Sequence, residues 1–239
     1  MTDKYCIIGA TRGTGLLITQ KLIEEGRNVK VLVRNRHKAL DVFGSDAEVV
    51  EADVTQAETL HAVINSDVCT LFFTVDITGG IGGRGFFAPK ARIRQITYDG
   101  LVNTVEAAKQ GGFMGRFVLL SVMGMEQPSF AWTLLNFIKA GLRRNITDRE
   151  HYLKCSGLEF TIIRPPGLTD DKGGLKKVAI NQIHRPLTLS ETLPREDLAK
   201  LMILAADNLN CRNKTFNAYS EPTSAQNYKE TIAQLNELS

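Results

Sequence analysis

Cys6-Ile7-Ile8-Gly9-Ala10-Thr11-Arg12-Gly13-Thr14-Gly15-Leu16-Leu17 reads as an apolar strand, a tight glycine turn and the start of a helix. Gly9 permits the turn, Gly13 or Gly15 lets backbone N–H groups approach a pyrophosphate, and the helix N-terminus supplies partial positive charge. A glycine triplet alone is a weak signal. Here it follows the first strand, opens the first helix and lies about 20 residues before the end of the second strand, which is the context such a turn demands.

Outward from this turn, apolar runs of strand length alternate with segments of helical period. Tyr5–Ile8, Val29–Val33, Glu48–Val50, Val68–Phe73, Phe117–Leu120 and Phe160–Ile163 read as strands buried on both faces, which implies a parallel sheet. Helical spacing over Gly15–Glu25, Thr55–Ile64, Arg92–Lys109 and Leu134–Leu153 places right-handed crossovers on both sides of it. The fold class is therefore α/β, a doubly wound parallel sheet of the Rossmann type. Past Arg164 the alternation loosens: Pro165-Pro166-Gly167 breaks the chain, Asp170–Gly174 is turn-rich, and Pro194 opens a helix through Ala206. A short strand near Thr215–Asn217 and a last helix from about Thr223 complete a small C-terminal, substrate-side lobe packed on the sheet. With no repeat or linker, residues 1–239 read as a single domain.

Composition narrows the function. Hydrophobic residues make up 43% and charged ones 23%, which argues against disorder. The net charge is only +3, with basic residues dispersed, so nucleic acid is not an expected partner. No apolar run reaches the roughly 20 residues of a membrane span. Cys6, Cys69, Cys155 and Cys211 have neither C-x-x-C nor zinc-ligand spacing and read as thiols in a reducing compartment. Met1-Thr2-Asp3-Lys4 leads directly into a strand, so a cytoplasmic protein without a leader is expected.

Strand ends carry the next signals. Dinucleotide folds selective for NAD place an acidic residue after the second strand to bind the adenosine ribose. This chain has Val33-Arg34-Asn35 instead, and Arg34, flanked by Arg12 of the glycine turn, suits a 2′-phosphate. NADP(H) is the expected cofactor. Asp53-Val54 follows the third strand, where the carboxylate suits an adenine amino group or, equally, caps a helix beginning near Thr55.

The segments Gly9–Gly15, Arg34, Asp53-Val54, Leu119-Leu120-Ser121, Gly157–Pro165 and Pro194–Ala199 together resemble the atypical short-chain dehydrogenase/reductases, including NmrA-like and flavin/biliverdin-reductase-like proteins, over nearly the whole chain. The resemblance implies Gly9, Thr11, Arg12, Gly13, Thr14 and Gly15 at the pyrophosphate, Thr74 and Val75 beside the riboses, Ser121 near the nicotinamide as the candidate catalytic residue, and Pro165 to Leu168, Gly167 among them, around the carboxamide. A hydroxyl cap on Met123-Gly124 is the alternative role for Ser121. No metal site is expected.

The chain also departs from that pattern. Related dehydrogenases use a tyrosine as proton donor with a lysine four residues later. Four residues after Tyr5, Tyr98, Tyr152, Tyr219 and Tyr228 stand Gly9, Val102, Ser156, Thr223 and Ile232, and alignment puts Leu142 and Ile146 where the pair belongs. Lys139 and Arg143 precede them near the same helix face, where either could reach a ribose or phosphate, although a solvated surface position is the commoner role for such side chains; Asp99 reads as a helix-face carboxylate beside Thr97. The glycine-rich segment Asp76–Phe87, with Arg84, Phe86 and Phe87, is either a closing loop or plain surface, and Phe130, Trp132 and Phe137 either a facing wall or core.

Three functions follow. The first is an NADPH-dependent reductase of an aromatic, quinone-like or flavin-like small molecule, for which a strong general acid is dispensable and solvent or Ser121 assists protonation. The second is an NmrA-like redox sensor or assembly factor that binds NADP(H) without turnover and reports to a protein partner. The third is an epimerase or dehydratase, weakened by the missing tyrosine.

Overall fold

The structure, a computed structural model, describes residues 4–61, 63–76, 88–221 and 228–238. The strands are β1 (Lys4–Ile8), β2 (Asn28–Val33), β3 (Glu48–Glu51), β4 (Val68–Phe73), β5 (Arg116–Leu120), β6 (Glu159–Arg164), β7 (Gly167–Thr169), β8 (Val178–Asn181), β9 (Thr192–Pro194) and β10 (Lys214–Ser220). The helices are α1 (Gly13–Glu24), α2 (Arg36–Phe43), α3 (Lys90–Arg94), α4 (Gly100–Gln110), α5 (Phe130–Ile138), α6 (Leu142–Cys155), α7 (Arg195–Asp207) and α8 (Tyr228–Asn236).

Eight strands form one sheet in the order β3-β2-β1-β4-β5-β6-β10-β8, parallel except for the antiparallel pair β10–β8. The period of two along each strand separates two cores. Tyr5 and Ile7 of β1 enter one cluster and Cys6 and Ile8 the other, and in β5 Val118 opposes Phe117 and Leu119. Helices α1 and α7 cover the first cluster through Ile18, Leu22, Leu198 and Met202, and α4 and α6 cover the second through Leu101, Val105 and Leu153. This is the doubly wound arrangement. The chain winds outward from β1 to β3, then returns to place β4 on the other side of β1, and that reversal leaves a crevice at the carboxyl ends of the strands.

Several elements differ from expectation. Thr55–Ile64 is not a helix; among its described residues only a 3₁₀ turn at Ala57–Thr59 forms, because Asp53 folds back on Thr55 instead of starting an α-helix. The expected helix Arg92–Lys109 runs from Lys90 to Gln110 with a π-helical turn at Gln95–Asp99. The expected helix Leu134–Leu153 is two helices, parted where Gly141 takes a left-handed φ of +81°. Strand β8 was not anticipated, and the short strand near Thr215–Asn217 extends to β10, pairing in parallel with β6. Pro194 closes β9 and precedes α7. The last helix starts at Tyr228, and residues 222–227 lie outside the described residues.

Candidate functional site

A cleft of about 610 Å³ opens where β1, β2, β4, β5 and β6 end. It brings together Gly9, Thr11, Arg12, Gly13 and Thr14 of the turn, Arg34 after β2, Asp53 and Val54 after β3, Thr74 and Val75 after β4, Ser121 after β5, and Pro165 after β6. Gly15 and Gly167 do not line it. Gly167 is exposed and pairs with Thr192 in the small β7–β9 sheet, while its neighbours Pro165, Pro166 and Leu168 face the cleft.

The glycines of the turn do different work. Gly9 has φ +94° and Gly13 φ +54°, a region costly for other residues. A Cβ on Gly15 would sit 2.3 Å from the Gly9 carbonyl oxygen and 2.5 Å from Thr74 Oγ1, so Gly15 lets α1 close onto the turn. A Cβ on Gly13 would meet nothing nearer than Arg195 Nε at 3.6 Å, so the space over the turn is open. Thr74 fixes the floor, its N–H and Oγ1 both donating to the Ile8 carbonyl at 3.0 and 2.9 Å. Helix α1 has no side-chain cap and no acidic residue in its first turn, which leaves N–H groups that an anion satisfies. These features fit a diphosphate.

At the end of β2, Arg34 is exposed and lines the cleft, while Asn35 caps α2 by accepting from the Lys38 N–H at 3.0 Å. Asp53 Oδ1 accepts from the N–H and hydroxyl of Thr55 at 2.9 and 2.8 Å, a local turn rather than a helix cap. Val54 is buried against Gly100, and its carbonyl accepts from Asn103 Nδ2 at 2.8 Å.

At the other end, Ser121 and Met123 extend β5 by donating N–H groups to the carbonyls of Ile163 and Pro165 at 2.8 and 2.9 Å. The Ser121 hydroxyl donates to Glu150 of α6, which is 2% exposed, and no cap on Met123-Gly124 forms. Glu150 also holds the Arg164 guanidinium, with contacts of 2.6 to 3.2 Å, and Arg164 reaches Glu126 at 2.6 Å. Burial works against both charges at the outer pair, yet Glu126 stays below the usual glutamate range beside Arg164, and Arg164 is raised by its hydrogen bonds to Glu150.

Leu142 and Ile146 are both buried with Trp132, Met123 and Met125 in an apolar cluster away from the cleft lining. No tyrosine lines the cleft either. Tyr5 and Tyr228 donate to Asp207 and Asp197, Tyr98 and Tyr219 lie under Arg94 and Arg185, and Tyr152 donates to Glu106 at 2.8 Å. Burial and the Glu106 carboxylate push the Tyr152 hydroxyl up to about 12.

Of the two cations for which a solvated position was the favoured reading, neither is at the surface. Lys139 is 5% exposed and lines the cleft; Arg143 is half-buried and donates to the Met125 carbonyl at 2.6 and 3.1 Å. The reading also missed Arg149, 1% exposed and in the cleft lining, and Arg195, which lies over Gly13 and donates to Asp170 at 2.7 Å. For Arg195 a signal existed, since Pro194 places it at the start of a helix. Asp99 is a partly exposed partner of Arg94, and Thr97 is buried. Trp132 is core, donating to the Met123 carbonyl at 3.2 Å, whereas Phe130 and Phe137 are exposed. Arg84, Phe86 and Phe87 lie outside the described residues. Among the described residues no group of His, Cys, Asp or Glu is placed to hold a metal, and no helix is long and apolar enough to cross a membrane.

This fold and cleft define a dinucleotide-binding Rossmann protein. The chain belongs to the NAD(P)H-binding family, whose model matches residues 9–209. It is 32% identical over 179 residues to an uncharacterised chloroplastic protein of Arabidopsis thaliana, covering 71% of this chain and 61% of that relative, so the chain spans less than two thirds of that protein's length. It is 27% identical to sanguinarine reductase of Eschscholzia californica, covering 90% of this chain and 88% of the reductase. Among solved structures it is similar to ChuY, an anaerobilin reductase of Escherichia coli O157:H7, with a TM-score of 0.70, 20% identity, and coverage of 92% and 98% of the two chains.

Proposed function

We propose that the protein is an NADP(H)-dependent oxidoreductase that reduces a flat aromatic, quinone-like or flavin-like small molecule. The carrying observation is one cleft that joins an open, uncapped glycine turn and Arg34 at one end to Ser121 and Pro165 at the other, with no tyrosine in its lining. A bound reduced nicotinamide supplies hydride there. Arg34 and Arg12 provide charge for a 2′-phosphate, the start of α1 and Arg195 for the diphosphate, and Asp53-Val54 a polar edge for the adenine.

Ser121 acts as a fixed acceptor. Its proton is committed to Glu150, and Glu150 is held by Arg164 and Lys154, so the oxygen presents lone pairs to the cleft and orients an N–H or O–H group rather than supplying a proton. The reductase relatives favour reduction, and the apolar Leu142 and Ile146 remove the acid–base pair that an epimerase or dehydratase requires.

The test is NADPH oxidation against a panel of quinones, flavins and polycyclic aromatics, with nucleotide affinity measured in parallel. Turnover of at least one class supports the reading. Tight NADPH binding with no turnover of any acceptor replaces it with a redox sensor or assembly factor.

A further inference from the structure

Strands β7 and β9 pair in parallel with Thr169 opposite Pro194, so the next residues, Asp170 and Arg195, leave the pair side by side in the cleft lining. Arg195 Nη1 donates to Asp170 Oδ1 at 2.7 Å. On the turn side, Arg195 Nε and Cδ stand 3.6 and 3.7 Å from where a Cβ on Gly13, the first residue of α1, would lie. Because the bond to Asp170 engages Nη1, it does not use the Nε–Nη2 edge, the fork whose two donors match two oxygens of a phosphate. Asp170 is 89% exposed, and the backbone fixes its place: Thr169 before it is held in the β7–β9 pair, and beyond it the N–H groups of Gly173 and Gly174 donate to Glu196 and Asp197 of α7 at 3.0 and 2.8 Å. The loop is fastened to the start of α7 on both sides of Asp170 without the ion pair. What the ion pair restrains is the Arg195 side chain, which otherwise loses its rotamer freedom on meeting an anion.

We propose that Asp170 is a positioning residue for the dinucleotide: by holding Nη1 it keeps the Arg195 guanidinium beside the glycine turn, with the Nε–Nη2 edge left for the diphosphate. This rests on the placement of the diphosphate at the start of α1 and does not depend on the reductase reading. Ordering Arg195 within the protein removes that cost from the binding step. A carboxylate next to an anionic ligand thereby strengthens its binding. Its own repulsion is small, because Asp170 is exposed to screening solvent and Arg195 neutralises it.

The test is calorimetric titration of NADP⁺ and of adenosine 2′-monophosphate, which carries the adenosine and its 2′-phosphate without the diphosphate. Asp170→Ala should weaken NADP⁺ by about three- to tenfold, the range for immobilising one long side chain on binding, and leave adenosine 2′-monophosphate within about twofold. Asp170→Asn, which keeps an oxygen to accept from Nη1, should hold NADP⁺ affinity within about twofold of the wild type. Arg195→Met should weaken NADP⁺ by about tenfold or more, as for a lost charged hydrogen bond, and adding Asp170→Ala to it should cost nothing further, since Asp170 acts through Arg195. The urea midpoint of Asp170→Ala should match the wild type, because an exposed ion pair contributes little to folding. Unchanged or tighter NADP⁺ binding in Asp170→Ala, an equal loss for the two ligands, or the same loss in the Arg195→Met background overturns the proposal. An Arg195→Met protein that binds NADP⁺ as the wild type does removes the diphosphate from Arg195 altogether, and the role of Asp170 with it.

Discussion

Replacing Gly15 with alanine separates two physical effects of opposite sign. Helix propensity alone favours alanine over glycine by about 1 kcal/mol inside a helix. Against it, the new methyl carbon falls 2.3 Å from the Gly9 carbonyl oxygen, 2.9 Å from the Gly9 carbonyl carbon and 2.5 Å from Thr74 Oγ1, well inside the roughly 3.5 Å of an ordinary nonbonded contact. Neither obstacle yields easily, since Thr74 Oγ1 is bonded to the Ile8 carbonyl at 2.9 Å and Gly9 belongs to the turn itself. Overpacking of this kind costs about 1–3 kcal/mol, and backbone obstacles place it at the upper end. The expected outcome is a net loss of about 2 kcal/mol after the propensity gain, read from the urea midpoint at constant slope, together with weakened NADPH binding by calorimetry. Gly13→Ala should lose less, about 1 kcal/mol from its left-handed φ, because its Cβ meets only Arg195 atoms at 3.6 and 3.7 Å. A Gly15→Ala protein as stable as the wild type, or more stable, would refute the packing argument. The same geometry separates the two glycines that the sequence offered alike for the approach to the pyrophosphate: Gly13 borders open space, whereas Gly15 packs α1 against the turn.

Tyr152→Phe should keep kcat within about tenfold, since loss of an essential general acid costs 10²–10⁴-fold, and a collapse of turnover with NADPH affinity unchanged would place a tyrosine in the reaction. The same substitution should raise the pKa of Glu106, which the Tyr152 hydroxyl lowers foremost; an unmoved carboxyl titration by NMR would contradict that cause. Glu106 and Glu126 both titrate below the ordinary glutamate value, so their contribution is complete above the unfolded pKa and is lost as pH falls through the folded one; urea midpoints should drop on acidification through that window, less steeply in Tyr152→Phe.

The glycine turn, the alternation of strands and helices, and the strand-end positions of Arg34, Asp53, Thr74 and Ser121 were legible because they follow from local periodicity and from fixed offsets along the chain. Residues made important by tertiary contact were not. The sequence leaves Lys139 between the surface and a ribose or phosphate and does not single out Arg149, and only tertiary packing buries them, Arg149 against the carbonyls of Val75 and Leu120. The commitment of the Ser121 proton to Glu150 joins residues 29 positions apart, and no spacing announces it. Strand β8 was missed because its pairing with β10 is antiparallel and long-range, outside the βαβ rhythm that revealed β1 to β6, and the three-residue strands β7 and β9 were too short to show any period.

The central claim is that Arg34 reads the 2′-phosphate of a dinucleotide in the cleft, and the most direct measurement is calorimetric titration of NADPH and NADH into the wild type and Arg34→Asp. Loss of a charged hydrogen bond should weaken NADPH by roughly 1.5–3 kcal/mol, about 10- to 150-fold, and leave NADH unchanged. Equal losses for the two nucleotides would remove Arg34 from the site.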